Sequence, residues 1–104
     1  MNPANQMKHN RPYPSARQIR RTCSRELYRA RKKLGRYVPQ QAVEQAEELY
    51  YKKVMLNLPY IVEHADNRKV LADWFDENVC GEIAALWEVE SDALAKAFRD
   101  SFGG

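Results

Sequence analysis

Residues 15–36 carry a helical repeat of apolar side chains, and this repeat restricts the fold more than any other feature of the chain. At about 100° per residue, one narrow stripe collects the apolar side chains, which are Ala16, Ile19, Cys23, Leu27, Ala30 and Leu34. Ser15 suits the N-cap, and Gly35 suits the left-handed position that ends a helix. The pattern predicts an amphipathic helix over residues 15–35, and the rest of the chain must cover its apolar stripe.

The next part of the chain also has helical signals. Pro39 suits the first turn of a second helix, which we expect to end near Asn57. Pro59 should break or kink this helix, because proline lacks the backbone N–H that a helix interior needs. A short helical stretch should follow over residues 60–64.

The C-terminal part predicts further helices. Asp66 or Asn67 should cap a third main helix, and Gly81 should interrupt the chain after it. Two more helical pieces are then expected, over 82–88 and over 91–102 with Ser91 as the cap. No segment has the alternation of a strand. The predicted fold class is therefore all-α: a compact bundle of four to five helices, with Trp74, Phe75, Trp87 and Phe98 in the core.

Charge divides the chain into two parts. Residues 1–36 contain eleven Lys and Arg against one Glu, a net charge of +10, whereas residues 37–104 contain six basic and thirteen acidic residues, a net of −7. With the prolines near the N-terminus, this predicts an extended polar tail over 1–14 and a single helical domain over 15–104. Within the domain, a basic helix (15–35) precedes an acidic helical body (39–104).

The face of the first helix opposite the apolar stripe is strongly basic. Like charges four residues apart destabilise an isolated helix, so this face needs a compensating partner, and guanidinium groups bind phosphates bidentately. Tyr28 on the same face suits stacking on a base. The predicted nucleic-acid-binding residues are Arg17, Arg20, Arg21, Arg25, Tyr28, Arg29, Lys32, Lys33 and Arg36.

Three other interpretations of this face remain open. The basic face can dock on the acidic half of the same chain or of a second copy, it can be solvated without a partner, or it can be an Arg-rich targeting helix. The position of the carboxylates of Glu44, Glu47, Glu88 and Asp92 should distinguish docking from nucleic-acid binding, since these groups would cover the face in a docked arrangement.

The apolar spacing of residues 81–100 resembles that of a helix-turn-helix unit, with a small residue at Ala84 in the first helix. The chain has Glu88 where that family usually has a turn glycine, and Asp92 opens what would be the recognition helix. The resemblance implies two packed helices, and we do not expect them to read bases.

Residues 48–62 are apolar on nearly every side of a helix. This pattern predicts either a central core helix or an interface with a second subunit, because a short chain has few elements to surround such a helix. The candidate interface residues are Tyr50, Tyr51, Val54, Met55 and Leu58.

No motif of an enzyme, a phosphate loop or a metal site is evident. The two distant cysteines suit a reducing compartment, and the N-terminus lacks the apolar region of a secretory signal. We therefore predict a cytoplasmic, non-catalytic nucleic-acid-binding protein without cofactor or metal, not associated with a membrane, and acting as a homodimer or in a heteromeric complex. The alternative is an adaptor, inhibitor or accessory subunit that docks on an acidic protein.

Overall fold

The computed structural model describes residues 13–104, and all regular structure in this part of the chain is helical. The helices are α1 (Ala16–Leu34), α2 (Gln40–Leu56), α3 (Leu58–Glu63), α4 (Arg68–Phe75), α5 (Gly81–Trp87) and α6 (Ser91–Phe102). The predicted all-α bundle is confirmed. The predicted extended tail over 1–14 lies outside the described residues, apart from its last two positions.

The ends of α1 form as their local sequence predicts. The hydroxyl of Ser15 accepts a hydrogen bond from the backbone N–H of Gln18 at 3.1 Å, and the Gln18 side chain accepts one from the backbone N–H of Ser15 at 2.9 Å. This reciprocal capping box satisfies two N–H groups that the helix itself leaves unpaired. Gly35 ends the helix in the left-handed conformation, with φ 72°.

The region around Gly81 differs from the prediction. Gly81 has φ −60° and ψ −39°, which are helical values, and a π-helical turn over Asp76–Cys80 joins α4 to α5 without a break. A glycine inside a helix costs only about 1 kcal/mol relative to alanine, and here the buried side chains of Val79, Cys80 and Ile83 offset that cost. The predicted interruption at Gly81 is therefore wrong.

A sharp turn separates α5 from α6. Glu88 adopts φ 57° and ψ 47°, and it is the one non-glycine residue with positive φ among residues 13–104. A left-handed residue thus follows α5 at the position where the sequence comparison expected a turn glycine, and a glutamate occupies it. The N-cap of α6 is Glu90, so Ser91 is the first helical residue and not the cap.

Aromatic rings form the centre of the core. The rings of Phe75 and Phe98 stack with centroids 3.7 Å apart, and Tyr50 meets the Phe75 ring edge-on at 5.2 Å. Trp74 and Trp87 are also buried, and the Trp87 indole N–H donates to the carbonyl oxygen of Ala42 in α2 at 3.1 Å. The four aromatic residues predicted for the core are all confirmed there.

The predicted interface on α2 needs a correction. Tyr50 and Val54 are buried in the core of this chain, so they cannot contact a partner. Tyr51 and Leu58 are half-buried and Met55 is exposed. The apolar residues that surround Tyr50 and Val54 come from α1, α4 and α6, and sequence periodicity alone could not reveal that these elements converge on α2.

Candidate nucleic-acid interface

Helix α1 is the central element of the bundle. It packs most extensively against α6 and also against α2. Its apolar stripe is buried between them, with Ile19, Cys23, Leu27 and Ala30 in the core. The basic helix therefore does dock on the acidic half of the chain, but it does so through its apolar side, and the basic side faces away from the core.

Every predicted nucleic-acid-binding residue is exposed. We call the i,i+4 series Arg17, Arg21, Arg25, Arg29 and Lys33 the basic ladder. No carboxylate oxygen of residues 13–104 lies within 4.0 Å of a ladder nitrogen. Residues 1–12 contain neither Asp nor Glu. The ladder is therefore solvent-facing and not neutralised by ion pairs.

Arg20 is bound within the protein, unlike the ladder. Its guanidinium lies 2.7 Å from Glu48 and 3.8 Å from the centre of the Tyr51 ring. The hydrogen bond that Arg20 donates to Glu48 is the main cause that raises the pKa of Arg20. These contacts turn Arg20 toward α2 and away from the ladder, so it is not as free to meet an external anion as the other predicted residues.

None of the carboxylates that would signal intramolecular docking forms an ion pair with the ladder, although Glu47 contacts α1 at Ser24. Glu47 accepts a hydrogen bond from Ser24 at 2.9 Å, and Glu44 accepts one from Gln40 at 3.1 Å. Glu88 and Asp92 form no ion pair with any residue of the described part. The basic ladder is thus not covered by the acidic half of its own chain.

Tyr28 lies on the same outer face as the ladder. Its side chain is half exposed, at 52%. The guanidinium of Arg31 and the ammonium of Lys32 lie 5.5 and 5.8 Å from the ring centre, within cation–π range. An exposed ring beside cations is the arrangement on which a base of a single strand stacks.

A groove runs along the junction between α1 and α6. Arg29 and Lys33 line its α1 side, and Asp100 and Ser101 line its α6 side. The Lys96 ammonium binds Asp100 at 2.8 Å, and this hydrogen bond is the main cause that lowers the pKa of Asp100. The charge of Lys33 also lowers the pKa of Asp100, so this one carboxylate faces cations of both helices and the groove keeps a net positive charge.

Sequence patterns did not place Arg68 in this interface, but the structure does. Arg68 is the first residue of α4, and it lines one pocket together with Arg25, Arg29 and Glu26 of α1. Residue 68 lies some forty positions along the chain from these partners, and no local spacing relates them. The three arginines come together because α4 packs on α6 and α6 packs along α1.

Glu26 is the single acidic residue of α1, and it lies beneath the arginines. Its Oε1 accepts a hydrogen bond from the buried Tyr50 hydroxyl. Burial raises the pKa of Glu26, while the bond from Tyr50 and the charges of Arg68, Arg25 and Arg29 oppose that rise. Glu26 therefore joins the basic surface to the aromatic core.

The helix pair α5–α6 offers few free cations. Lys96 is bound to Asp100, and Arg99 lies 2.7 Å from Asp73 and 3.3 Å from Asp76. Its bond to Asp73 is the main cause that raises the pKa of Arg99. Between α1 and the α5–α6 pair, the free positive charge among residues 13–104 therefore lies on α1.

The part of the chain that the structure describes contains neither a metal site nor a membrane-spanning helix. Across residues 13–104, no three His, Cys, Asp or Glu side chains gather as metal ligands would. Within the same range, no helix has the length and apolar character needed to cross a membrane. Comparison with protein-family models, with curated proteins and with solved structures found no significant match to this chain.

Proposed function

We propose that this chain is a small non-catalytic nucleic-acid-binding protein, a regulatory or accessory factor of the cytoplasm, that grips phosphates through the basic ladder of α1. The observation that carries the proposal is the uncovered state of the ladder. The chain builds its core around α1, and among residues 13–104 no carboxylate oxygen lies within 4.0 Å of a ladder nitrogen.

The spacing of the ladder suits a polyanion. Successive members lie four residues apart, which is about 6 Å along a helix axis, and the whole ladder spans about 24 Å. A regular row of this length matches a repeating charge better than it matches one isolated anion. Nucleic acids present phosphates in such a row, and most contacts to them are made by Arg and Lys.

Like-charge repulsion adds a second argument. Each like-charged i,i+4 pair costs an isolated helix a few tenths of a kcal/mol, and four such pairs occur along the ladder. The burial of the apolar stripe holds α1 together in spite of this cost. A bound phosphate row removes the repulsion, so the fold and the binding of an anion favour each other.

A salt titration tests the proposal. The affinity for mixed-sequence oligonucleotides should fall linearly on a log–log plot against salt, at about 0.9 per phosphate contacted on duplex DNA, which gives a slope near 5 for five or six engaged side chains. Replacing Arg21, Arg25 and Arg29 by Gln should lower the slope by about two to three units. The melting temperature of this variant should be equal to that of the parent or higher, because the repulsion is relieved.

The matched control removes the same charge elsewhere. Lys52, Lys53 and Lys69 each bind a carboxylate outside the ladder, and their replacement by Gln should leave the slope nearly unchanged. Equal loss of slope in both triple variants would mean that net charge, and not the ladder, binds the nucleic acid. A ladder variant that unfolds more easily, with a parent that binds no nucleic acid at physiological salt, would refute the proposal.

A protein partner remains the second candidate. Leu56 is 81% exposed at the end of α2, and Met55 and Tyr60 are exposed beside it. An exposed apolar group at a helix junction is typical of a contact surface. This observation supports the prediction of a homodimer or a heteromeric complex, in which the adaptor function would use this surface together with α1.

A further inference from the structure

One pocket beside Arg25 and Arg29 of the basic ladder is built differently from the rest of the surface. It has a volume of about 90 Å³ and is lined by the side chains of three arginines, one glutamate, one serine and one phenylalanine. These residues are Arg25, Glu26, Arg29, Arg68, Ser101 and Phe102. Three separate helices, α1, α4 and α6, supply them, so the pocket exists only in the folded chain.

Arg68 is held over the pocket by an aromatic ring. Its guanidinium carbon lies 4.2 Å from the centre of the Phe102 ring, and Phe102 in turn stacks on the buried Phe98 at 4.9 Å. A cation over an aromatic face is stabilised by the ring quadrupole. The side chain of Arg68 is therefore oriented before any ligand arrives, and it loses less entropy on binding.

The pocket carries an excess of positive charge. No carboxylate of residues 13–104 lies within 4.0 Å of the guanidinium groups of Arg25, Arg29 or Arg68. The one carboxyl in the pocket wall belongs to Glu26, and one of its oxygens already accepts the Tyr50 hydroxyl. With Glu26 ionised, three guanidiniums leave a surplus of two positive charges.

We propose that this pocket binds the terminal phosphate monoester of a nucleic-acid strand. An internal phosphodiester carries one negative charge, whereas a monoester carries about 1.5 to 2 at neutral pH, which matches the surplus. The three helices also close the pocket on several sides. A strand end fits such a site, whereas an internal phosphate must have room for the chain on both sides. This inference rests on the proposed function, since a strand that ends in the pocket would continue along the neighbouring members of the ladder.

Two oligonucleotides of the same sequence, with a 5′-phosphate or a 5′-hydroxyl, test the pocket. The parent should bind the phosphorylated strand about tenfold more tightly, since one added charge-assisted hydrogen bond contributes roughly 1.5 kcal/mol or more. Arg68→Gln should remove this preference and still bind the hydroxyl strand. Lys69→Gln is the matched control, because it removes one charge at the next position and should keep the preference.

Inorganic phosphate supplies an independent measurement. At constant ionic strength it should raise the melting temperature of the parent and of Lys69→Gln, but not that of Arg68→Gln. Glu26→Gln removes the negative wall charge and keeps an acceptor for Tyr50, so it should bind phosphate more tightly than the parent. This second variant keeps the test decisive if Arg68→Gln fails to fold.

The outcomes separate this inference from the proposed function. Equal affinity for both strands, together with no effect of phosphate on the melting temperature, would refute the terminal-phosphate site and leave the proposed binding by the ladder unaffected. A phosphate effect that depends on Arg68, in a protein that binds neither strand, would instead refute nucleic-acid binding and assign the pocket to small phosphate monoesters. A preference for the 5′-phosphorylated strand that persists in Arg68→Gln would also refute the terminal-phosphate site.

Discussion

Replacing Tyr50 by Phe should destabilise the protein in a way that depends on pH. The Tyr50 ring packs against Phe75 and Phe98, and a phenylalanine retains those contacts. The substitution therefore removes only the hydroxyl that donates to Glu26. A hydrogen bond to a charged group contributes about 1.5 to 3 kcal/mol. We expect the lower end, about 1.5 kcal/mol, since water reaches part of Glu26. The melting temperature should then fall by about 6 to 12 °C.

The pH dependence follows from the carboxyl of Glu26. Burial raises its pKa, so the stability that this group contributes is fully present below its unfolded-state pKa and is lost as the pH rises through its folded-state pKa. The Tyr50 hydroxyl opposes this rise because it favours the ionised form. The cost of Tyr50→Phe should therefore be largest at about pH 7 and smaller at about pH 4, where the carboxyl is protonated.

Glu26→Gln provides the control for this pair. It should be more stable than the parent at about pH 7, and the difference should shrink as the pH falls toward about 4. In the Glu26→Gln background, Tyr50→Phe should cost only about 0.5 to 1.5 kcal/mol, because the hydrogen bond is then neutral. Denaturant unfolding at both pH values gives the free energy of unfolding of the parent, of the two single variants and of the double variant. A Tyr50→Phe cost that is the same at both pH values and in both backgrounds would refute the coupling of Tyr50 to Glu26.

Three further predictions concern other parts of the fold. Glu88→Gly should stabilise the protein by up to about 1 kcal/mol in thermal unfolding, because glycine adopts positive φ without strain, and an unchanged or lower melting temperature would contradict this. Cys23 and Cys80 should react slowly with thiol reagents at neutral pH until denaturant is added, because burial raises the pKa of Cys23 to about 12 and that of Cys80 to about 11; prompt reaction of either thiol in the native protein would disprove this. We expect the parent to sediment as a dimer and Leu56→Asp to sediment as a monomer with an unchanged melting temperature at low concentration; a monomeric parent, or a dimer that survives the change, would contradict this.

Local signals in the sequence predicted local structure well. The cap at Ser15 and the left-handed Gly35 each act within one helical turn and occur as predicted, and of the two cap candidates Asp66 and Asn67 the structure has Asn67. The apolar stripe of α1 was also predicted, since a helical repeat depends only on spacing. These features need no knowledge of what packs against them.

Features that depend on packing could not be predicted. The glycine at position 81 predicts the end of a helix. In the structure the burial of its neighbours keeps the helix continuous through a π turn. The sequence pattern of α2 is compatible with Tyr50 either in the core or in an interface. Side chains of α1, α4 and α6 bury it, so it belongs to the core. Packing also determines where Arg20 and Arg68 lie. Arg20 binds Glu48 of α2 and is turned away from the ladder, whereas Arg68 of α4 lies beside Arg25 and Arg29 of the ladder.

The central position of α1 also determines which backbone amides an anion can protect from hydrogen exchange. Because α1 is packed between α2 and α6, its amides should exchange only when the whole bundle opens, and so at the slowest rate that the protein shows. A polyanion bound to the ladder at a hundred times its dissociation constant adds about 2.7 kcal/mol to the free energy of that opening. Hydrogen exchange of the backbone amides that open with the whole bundle should then slow about a hundredfold in α1, α2 and α6 alike, although only α1 contacts the ligand. A basic segment attached as a separate arm would instead protect its own amides alone.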